Sequence, residues 1–210
     1  MADFQVDTSK MALVNVDMQN TFVENTPIAA PGGREVLTRI NGLVEVCREA
    51  GIQIIHASHV LRPDESNVGV MAEIMPRKLY SLIKKDRESS ELHKDLNVAP
   101  NDILLDKPRF GAFHSTDLEI LLRSKGIDTI IVTGIATNIC CETTAREANV
   151  RDFKVFFLSD GTETFPIGEI SAEEIQRVTC ATLGMAFAQV LTVDEMIEKI
   201  RRVAAATDAA

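Results

Sequence analysis

No apolar run in the 210 residues is long enough to cross a bilayer, so a membrane-embedded protein is not expected. The opening residues, Met1-Ala2-Asp3-Phe4-Gln5, lack a basic region and a following apolar core, and no secretory leader is expected. Cysteine is scarce. The four present show no metal-ligand spacing, and a chain of this size needs no disulfide framework, which points to reduced thiols and a cytoplasmic protein. Positive charge is the minority sign, 22 Lys and Arg against 31 Asp and Glu, for a net charge of −9. That balance argues against nucleic acid and anionic membrane surfaces as partners, and leaves small molecules and proteins. Phosphate-cradling glycine motifs are missing: there is no Gly-x-Gly-x-x-Gly after the first apolar run and no Gly-x-x-x-x-Gly-Lys-Ser/Thr. A dinucleotide or nucleotide enzyme is therefore the weaker reading. Without internal repeats, low-complexity stretches or a composition break, residues 1–210 read as a single domain.

What is present is the balance of a globular protein with a real core, 45% hydrophobic and 25% charged. Apolar, β-branched runs predict strands over residues 11–16, 52–57, 103–106, 129–132, 154–158 and 190–191. Apolar residues at three- and four-residue spacing predict helices between them, over about 35–50, 116–124, 140–148, 172–183 and 192–204. Gly51 and Gly126 read as helix stops. Ser171 and Thr192 read as caps, the former with Glu174 in capping-box position. Residues 205–210 read as a frayed tail. Strict alternation of strand and helix predicts an α/β fold, a doubly wound, six-stranded parallel sheet with helices on both faces. Residues 58–100 form a connection too long for a compact domain, and such a segment usually covers a site or makes a subunit contact. Its charge run, Lys84-Lys85-Asp86-Arg87-Glu88, reads as solvated surface.

Three strands end in reactive residues: Asp17 after the first, Lys107 after the third and Cys140 after the fourth. In a doubly wound sheet such ends converge on one crevice. An acid, a cation and a thiol there would make an activated nucleophile, Asp17 taking the thiol proton and Lys107 holding the charged forms. Cys140 stands where a strand gives way to a helix, with Thr137 or Asn138 as a possible cap, and free N–H groups there would ease ionisation of the thiol. Each residue also has a structural account. Asp17 could cap a turn, Lys107 could be a solvated strand-end lysine, and Cys140 and Cys141 could both be small apolar residues under a turn.

The segments Val14-Asn15-Val16-Asp17-Met18-Gln19-Asn20-Thr21-Phe22, Asp106-Lys107-Pro108-Arg109-Phe110-Gly111-Ala112-Phe113 and Val132-Thr133-Gly134-Ile135-Ala136-Thr137-Asn138-Ile139-Cys140 resemble the isochorismatase-like cysteine hydrolases. That family includes nicotinamidases, N-carbamoylsarcosine amidohydrolases and ureidoacrylate amidohydrolases. The resemblance covers residues from about 11 to 190. It implies an isochorismatase-like, Rossmann-like fold and an Asp17–Lys107–Cys140 triad. It also implies a cis peptide between Ile135 and Ala136, and an oxyanion hole from the Ala136 and Cys140 amides. The implied activity is cleavage of a C–N bond in a small amide or carbamoyl compound, through a thioester and with release of ammonia. Cys141 falls where the family has an apolar residue and is expected in the core. Nicotinamidases carry an Asp-x-His pair and a further His as metal ligands after the second strand. Here that region reads His56-Ala57-Ser58-His59-Val60-Leu61-Arg62-Pro63-Asp64, so no metal and no other cofactor is expected. By position, Phe22, His59, Arg62, Phe110, Phe113 and Ile139 are candidate substrate-binding residues, with Arg62 a possible fork for a substrate carboxylate or else a surface residue paired with Asp64. A homo-oligomer, dimer or tetramer, is implied. The alternatives are a metal-dependent nicotinamidase and a non-hydrolytic binding or assembly protein on the same fold.

Overall fold

The six apolar runs pair into one sheet in the computed structural model, which describes residues 2–208. The strands are β1 (Met11–Val16), β2 (Gln53–His59), β3 (Ile103–Lys107), β4 (Thr129–Ile135), β5 (Lys154–Glu163) and β6 (Gln189–Leu191). All pairings are parallel and the order is β3-β2-β1-β4-β5-β6. The chain therefore winds outward from β1 in one direction and from β4 in the other. A crevice opens at the carboxyl ends of these two central strands. Both are buried along their whole length, which is why they read as unbroken apolar runs.

Two hydrophobic layers flank the sheet. On one face Leu13, Ile54, Ile131 and Phe156 pack against α2 (Gly33–Glu49) and α8 (Val193–Asp208) through Val36, Ile40, Met196 and Ile200. On the other, Val14, Ile55, Ile130 and Phe157 meet α5 (Leu118–Ser124), α6 (Glu142–Asn149) and α7 (Ala172–Ala186) through Leu122, Ala145, Ala148 and Leu183. The alternation of these strand residues between faces is the period of two made visible. Three short helices complete the set: α1 (Asn20–Val23), α3 (Met71–Ile74) and α4 (Arg77–Tyr80). No helix among the described residues is long and apolar enough to cross a membrane.

Gly134 is required where it stands. Its φ is 121°, and a Cβ there would run into the Val16 carbonyl, so only glycine lets β4 lie this close to β1 at the mouth of the crevice. Beneath the crevice a polar chain crosses the sheet. Thr133 Oγ1 donates to Asn15 Oδ1 at 2.6 Å, Asn15 Nδ2 meets His56 Nδ1 at 3.2 Å, and His56 Nε2 meets Asp102 Oδ2 at 3.2 Å. Arg48 closes it on the same carboxylate at 2.9 Å. The side chains of Thr133, Asn15, His56 and Asp102 are thus linked in one buried run.

Several boundaries differ from the periodic reading. β2 runs on to His59, β4 to Ile135 and β5 to Glu163, because polar residues at their carboxyl ends still pair across the sheet. β5 gains length through an irregularity: Val132 pairs with Phe157 but Gly134 with Thr162. Ser171 and Glu174 make the expected capping box, and Thr192 makes the same exchange with Glu195. The last helix continues to Asp208, beyond the expected end near Ala204, so most of the expected frayed tail is helical. Its final two residues lie outside the described ones.

Candidate active site

Asp17 is the first residue beyond β1. Its φ of 55° is left-handed, rare for a residue with a side chain, and its amide donates to the Ala57 carbonyl of β2 at 2.7 Å. The carboxylate is fully buried. Lys107 ends β3, the edge strand, and its extended side chain passes the end of β2 to reach the crevice. Nζ donates to Asp17 Oδ2 at 2.8 Å, to the Arg109 carbonyl at 3.1 Å and to the Phe110 carbonyl at 2.9 Å. All three ammonium protons are used, and the lysine is 0% exposed. The solvated-lysine account of Lys107 is thereby overturned. Asp17 Oδ1 has no hydrogen-bond partner. Burial pushes the Asp17 carboxyl above its usual range despite the neighbouring ammonium. Burial also pulls on Lys107, but attraction to Asp17 and the Cys140 sulfur wins, and the ammonium is held above its ordinary value. The result is a carboxylate more basic than usual beside a cation that keeps its proton.

Between β4 and α6 the chain makes a single π-helical turn, Thr137–Cys141, in which the Cys141 amide donates to the Ala136 carbonyl at 3.1 Å. The expected cap is not made. Thr137 Oγ1 donates instead to Gln176 Oε1 at 2.8 Å, and Asn138 Oδ1 accepts from Thr164 at 2.7 Å, which ties the turn to α7 and to the end of β5. The wider turn sets Cys140 toward Asp17 and leaves Cys141 facing the sheet, where its Sγ lies 3.7 Å from the Thr133 carbonyl. Cys141 is 0% exposed and belongs to the core, as expected. The peptide bond between Ile135 and Ala136 is cis, as the resemblance implies. The thiol of Cys140 does not become acidic. Burial, then the charge of Asp17, pushes it well up, outweighing Lys107 and the Ala136 N–H directed at the sulfur. The expectation of an easily ionised thiol is thus corrected: burial and the Asp17 charge raise it, where the strand-to-helix position alone suggests the reverse.

A lid covers the crevice. Residues of the long 58–100 connection fold into α3, α4 and a 3₁₀ turn, Ser81–Ile83, that lay Met71, Met75, Leu79 and Ile83 over Cys140. These four are spaced at every fourth residue, a helical stripe in the sequence that survives the interruption at Pro76. It was the available signal for pocket residues that position alone missed. Tyr80, Ile28 and Phe165 complete the missed set. The cavity beneath the lid, still partly open to solvent, is ≈ 70 Å³. Glu65 anchors the lid, accepting from Arg77 at 2.8 Å and from Lys84 at 3.3 Å. Lys84 is therefore largely buried, a correction to the reading of the whole charge run as solvated.

Of the candidate binding residues, Phe22, His59, Phe110 and Ile139 line the cavity. Arg62 does not. Leu61 turns inward to the lid cluster and the next residue faces out, so Arg62 is exposed. Phe113 is also a correction. It is buried against Phe153, ring centroids 5.6 Å apart, in the layer beneath α5 and α6. His59 is held firmly. Gln19 Oε1 accepts from its amide at 2.8 Å while Gln19 Nε2 donates to its carbonyl at 3.2 Å, and its ring meets Phe110 edge-on at 5.5 Å. Its ring Nε2 is buried without a partner. Burial first, then the charge of Lys107, holds the imidazole neutral, well below its usual range.

Asp17, His59 and Cys140 each offer one ligand atom, all within 4.8 Å of one another. They fit a metal poorly, because the Lys107 ammonium already occupies Asp17 at 2.8 Å and a buried cation beside it would be repelled. Residues 56–64, at the end of β2 and after it, contain no Asp-x-His pair.

The family model described as the isochorismatase domain matches residues 11–195. Among curated proteins, nicotinamidase 3 of Arabidopsis thaliana is 32% identical over 88% of this chain and 86% of its own length. The ureidoacrylate amidohydrolase RutB of Methylorubrum extorquens is 31% identical over 74% of this chain and 71% of its own. Among solved structures, a cysteine hydrolase from Pseudomonas syringae pv. phaseolicola superposes with a TM-score of 0.92 at 31% identity, covering 95% of this chain and 96% of that one.

Proposed function

The chain belongs to the isochorismatase family of hydrolases, and from that premise we propose that it is a cysteine amidohydrolase that cleaves the C–N bond of a small amide or carbamoyl compound. The observation that carries the reading is the buried Asp17–Lys107 pair, 2.8 Å apart, with one free carboxylate oxygen beside the Cys140 sulfur. Asp17 Oδ1 takes the thiol proton as Sγ attacks the carbonyl carbon. Lys107 keeps this transfer from leaving uncompensated charge in a buried site. The oxyanion is received by the Ala136 and Cys140 amides. The C–N bond then breaks, Asp17 returns the proton to nitrogen, and ammonia leaves. Water attacks the thioester, Asp17 takes its proton, the C–S bond breaks and the thiol is restored.

The raised thiol supports a proton transfer coupled to attack, with no resting thiolate. The pH dependence follows from Asp17. Its ionised form is the base, so kcat/KM should fall as pH drops through the carboxyl's raised value, and the acid limb should lie above the ordinary carboxylate range. A limb at or below pH 3.8 would argue for another base. The test of the function itself is ammonia release across a panel of primary amides and ureido compounds, with Asp17→Asn and Lys107→Met beside the wild type. Each substitution should lower turnover by about 10²-fold or more. A panel without ammonia release, together with no selective labelling of Cys140 by a thiol reagent, would favour the non-hydrolytic alternative. A homo-oligomer fits the exposed Val178 and Met185 on α7, and light scattering would decide it.

A further inference from the structure

The cavity over Cys140 has almost no polar wall. Met71, Met75, Leu79, Ile83 and Phe165 line it away from the sulfur, and no Lys or Arg is among the lining residues. Lys107 spends its three protons at the base of the site. Arg109 Nη1 donates to the Asn67 carbonyl at 2.8 Å and to the Pro108 carbonyl at 2.7 Å. Lys84 and Arg77 are held by Glu65, and Arg62 faces solvent. A carboxylate entering here would lose its hydration and meet no cation among the lining residues, at a cost of several kcal/mol. At the reactive end the arrangement is the opposite. Two buried acceptors, Asp17 Oδ1 and His59 Nε2, have no partner. His59 Nε2 is held in a neutral ring and, with the ring proton on Nδ1, presents a lone pair that accepts.

Resting on the amidohydrolase reading, we propose that the substrate is an uncharged primary amide or carbamoyl compound carrying a small apolar substituent, its NH₂ held by His59 Nε2 and Asp17 Oδ1. The substituent lies among the methionines and leucine of the lid. At ≈ 70 Å³ the cavity admits a group of roughly half a dozen non-hydrogen atoms. The two acceptors take one N–H each, which turns the nitrogen toward Asp17 for the proton it receives on leaving. His59 acts here as a binding and positioning group and transfers no proton. This sets the chain apart in specificity from a relative named for ureidoacrylate, whose named substrate bears a carboxylate.

The test is ammonia release by the wild-type protein from matched pairs: a small aliphatic or aryl carboxamide or urea, the same compound bearing a terminal carboxylate, and its N-methyl amide, assayed as methylamine release. The uncharged primary amide should exceed the carboxylate partner in kcat/KM by about 10²-fold or more. It should exceed the N-methyl amide as well. His59→Phe should lower kcat/KM for the primary amide at least tenfold and flatten the preference over the N-methyl amide, and His59→Asn should restore part of both. A structural defect would lower both substrates together. A carboxylate partner turned over as well as the neutral amide overturns the proposal and leaves the hydrolase standing. No ammonia from any compound overturns both.

Discussion

Cys140 and Cys141 are adjacent, both buried, and do different things. The π-helical turn sends one sulfur to Asp17 and the other to the Thr133 carbonyl. Cys141→Ala should cost about 1–2 kcal/mol of stability through lost packing, with activity nearly unchanged. Chemical denaturation beside an ammonia assay would check it, and a Cys141→Ala protein that folds but does not turn over would reverse the assignment of the two thiols. Arg62 shows where position in the chain stops being informative. It follows β2 by three residues, as a site residue would, yet the inward turn of Leu61 aims it at solvent. Phe113 fails likewise: it follows Phe110 in the same segment, but the chain passes from the crevice to the core in between.

At the scale of elements, the lid and the central strands carry separate predictions. Glu65 is the acceptor that Lys84 and Arg77 share, and Tyr80 lies 3.4 Å from its other oxygen. Glu65→Ala leaves a largely buried lysine unpaired and should loosen residues 61–85. Hydrogen exchange there should quicken, and KM should rise several-fold with kcat less affected. Unchanged exchange over this segment would show that the lid is held by its apolar contacts alone. The polar chain under the sheet predicts an acid weakness. Burial holds His56 below its usual value of 6.5, so the unfolded state binds the proton more readily. Stability is then present above pH 6.5 and lost as pH falls through the depressed value. His59 adds to the same trend. Thermal midpoints measured from pH 7 to 5 should fall, and His56→Gln should flatten part of that slope. A slope unchanged by the substitution would assign the acid weakness to other groups.

At the scale of the molecule, the alternation of apolar runs was enough to foresee the parallel sheet. Asp17, Lys107 and Cys140 stood out because each reactive residue stands at or just past the carboxyl end of an apolar run. Three features were not legible, each for a physical reason. Strand ends extend wherever backbone pairing continues past the apolar residues, as β5 does through Thr162 and Glu163. The lid is built from short helices broken by Pro76, so its stripe of Met71, Met75, Leu79 and Ile83 did not read as one element. The thiol's proton affinity depends on burial and on the Asp17 charge, which are properties of the whole fold and not of the strand-to-helix position. Chelation should leave turnover unchanged, because Lys107 rather than a metal neutralises Asp17. Activity lost to a chelator and restored by one divalent ion would contradict that assignment of charge.

The expected turnover rests on one claim, that the Cys140 sulfur attacks the substrate with Asp17 as its base. The most direct measurement is ammonia release from a primary amide by Cys140→Ala, set beside Cys141→Ala, with circular dichroism on both. The account predicts that Cys140→Ala keeps the fold and loses turnover by about 10⁴-fold or more, while Cys141→Ala stays within about tenfold of the wild type. A folded Cys140→Ala protein that still releases ammonia at a rate near wild type would contradict it.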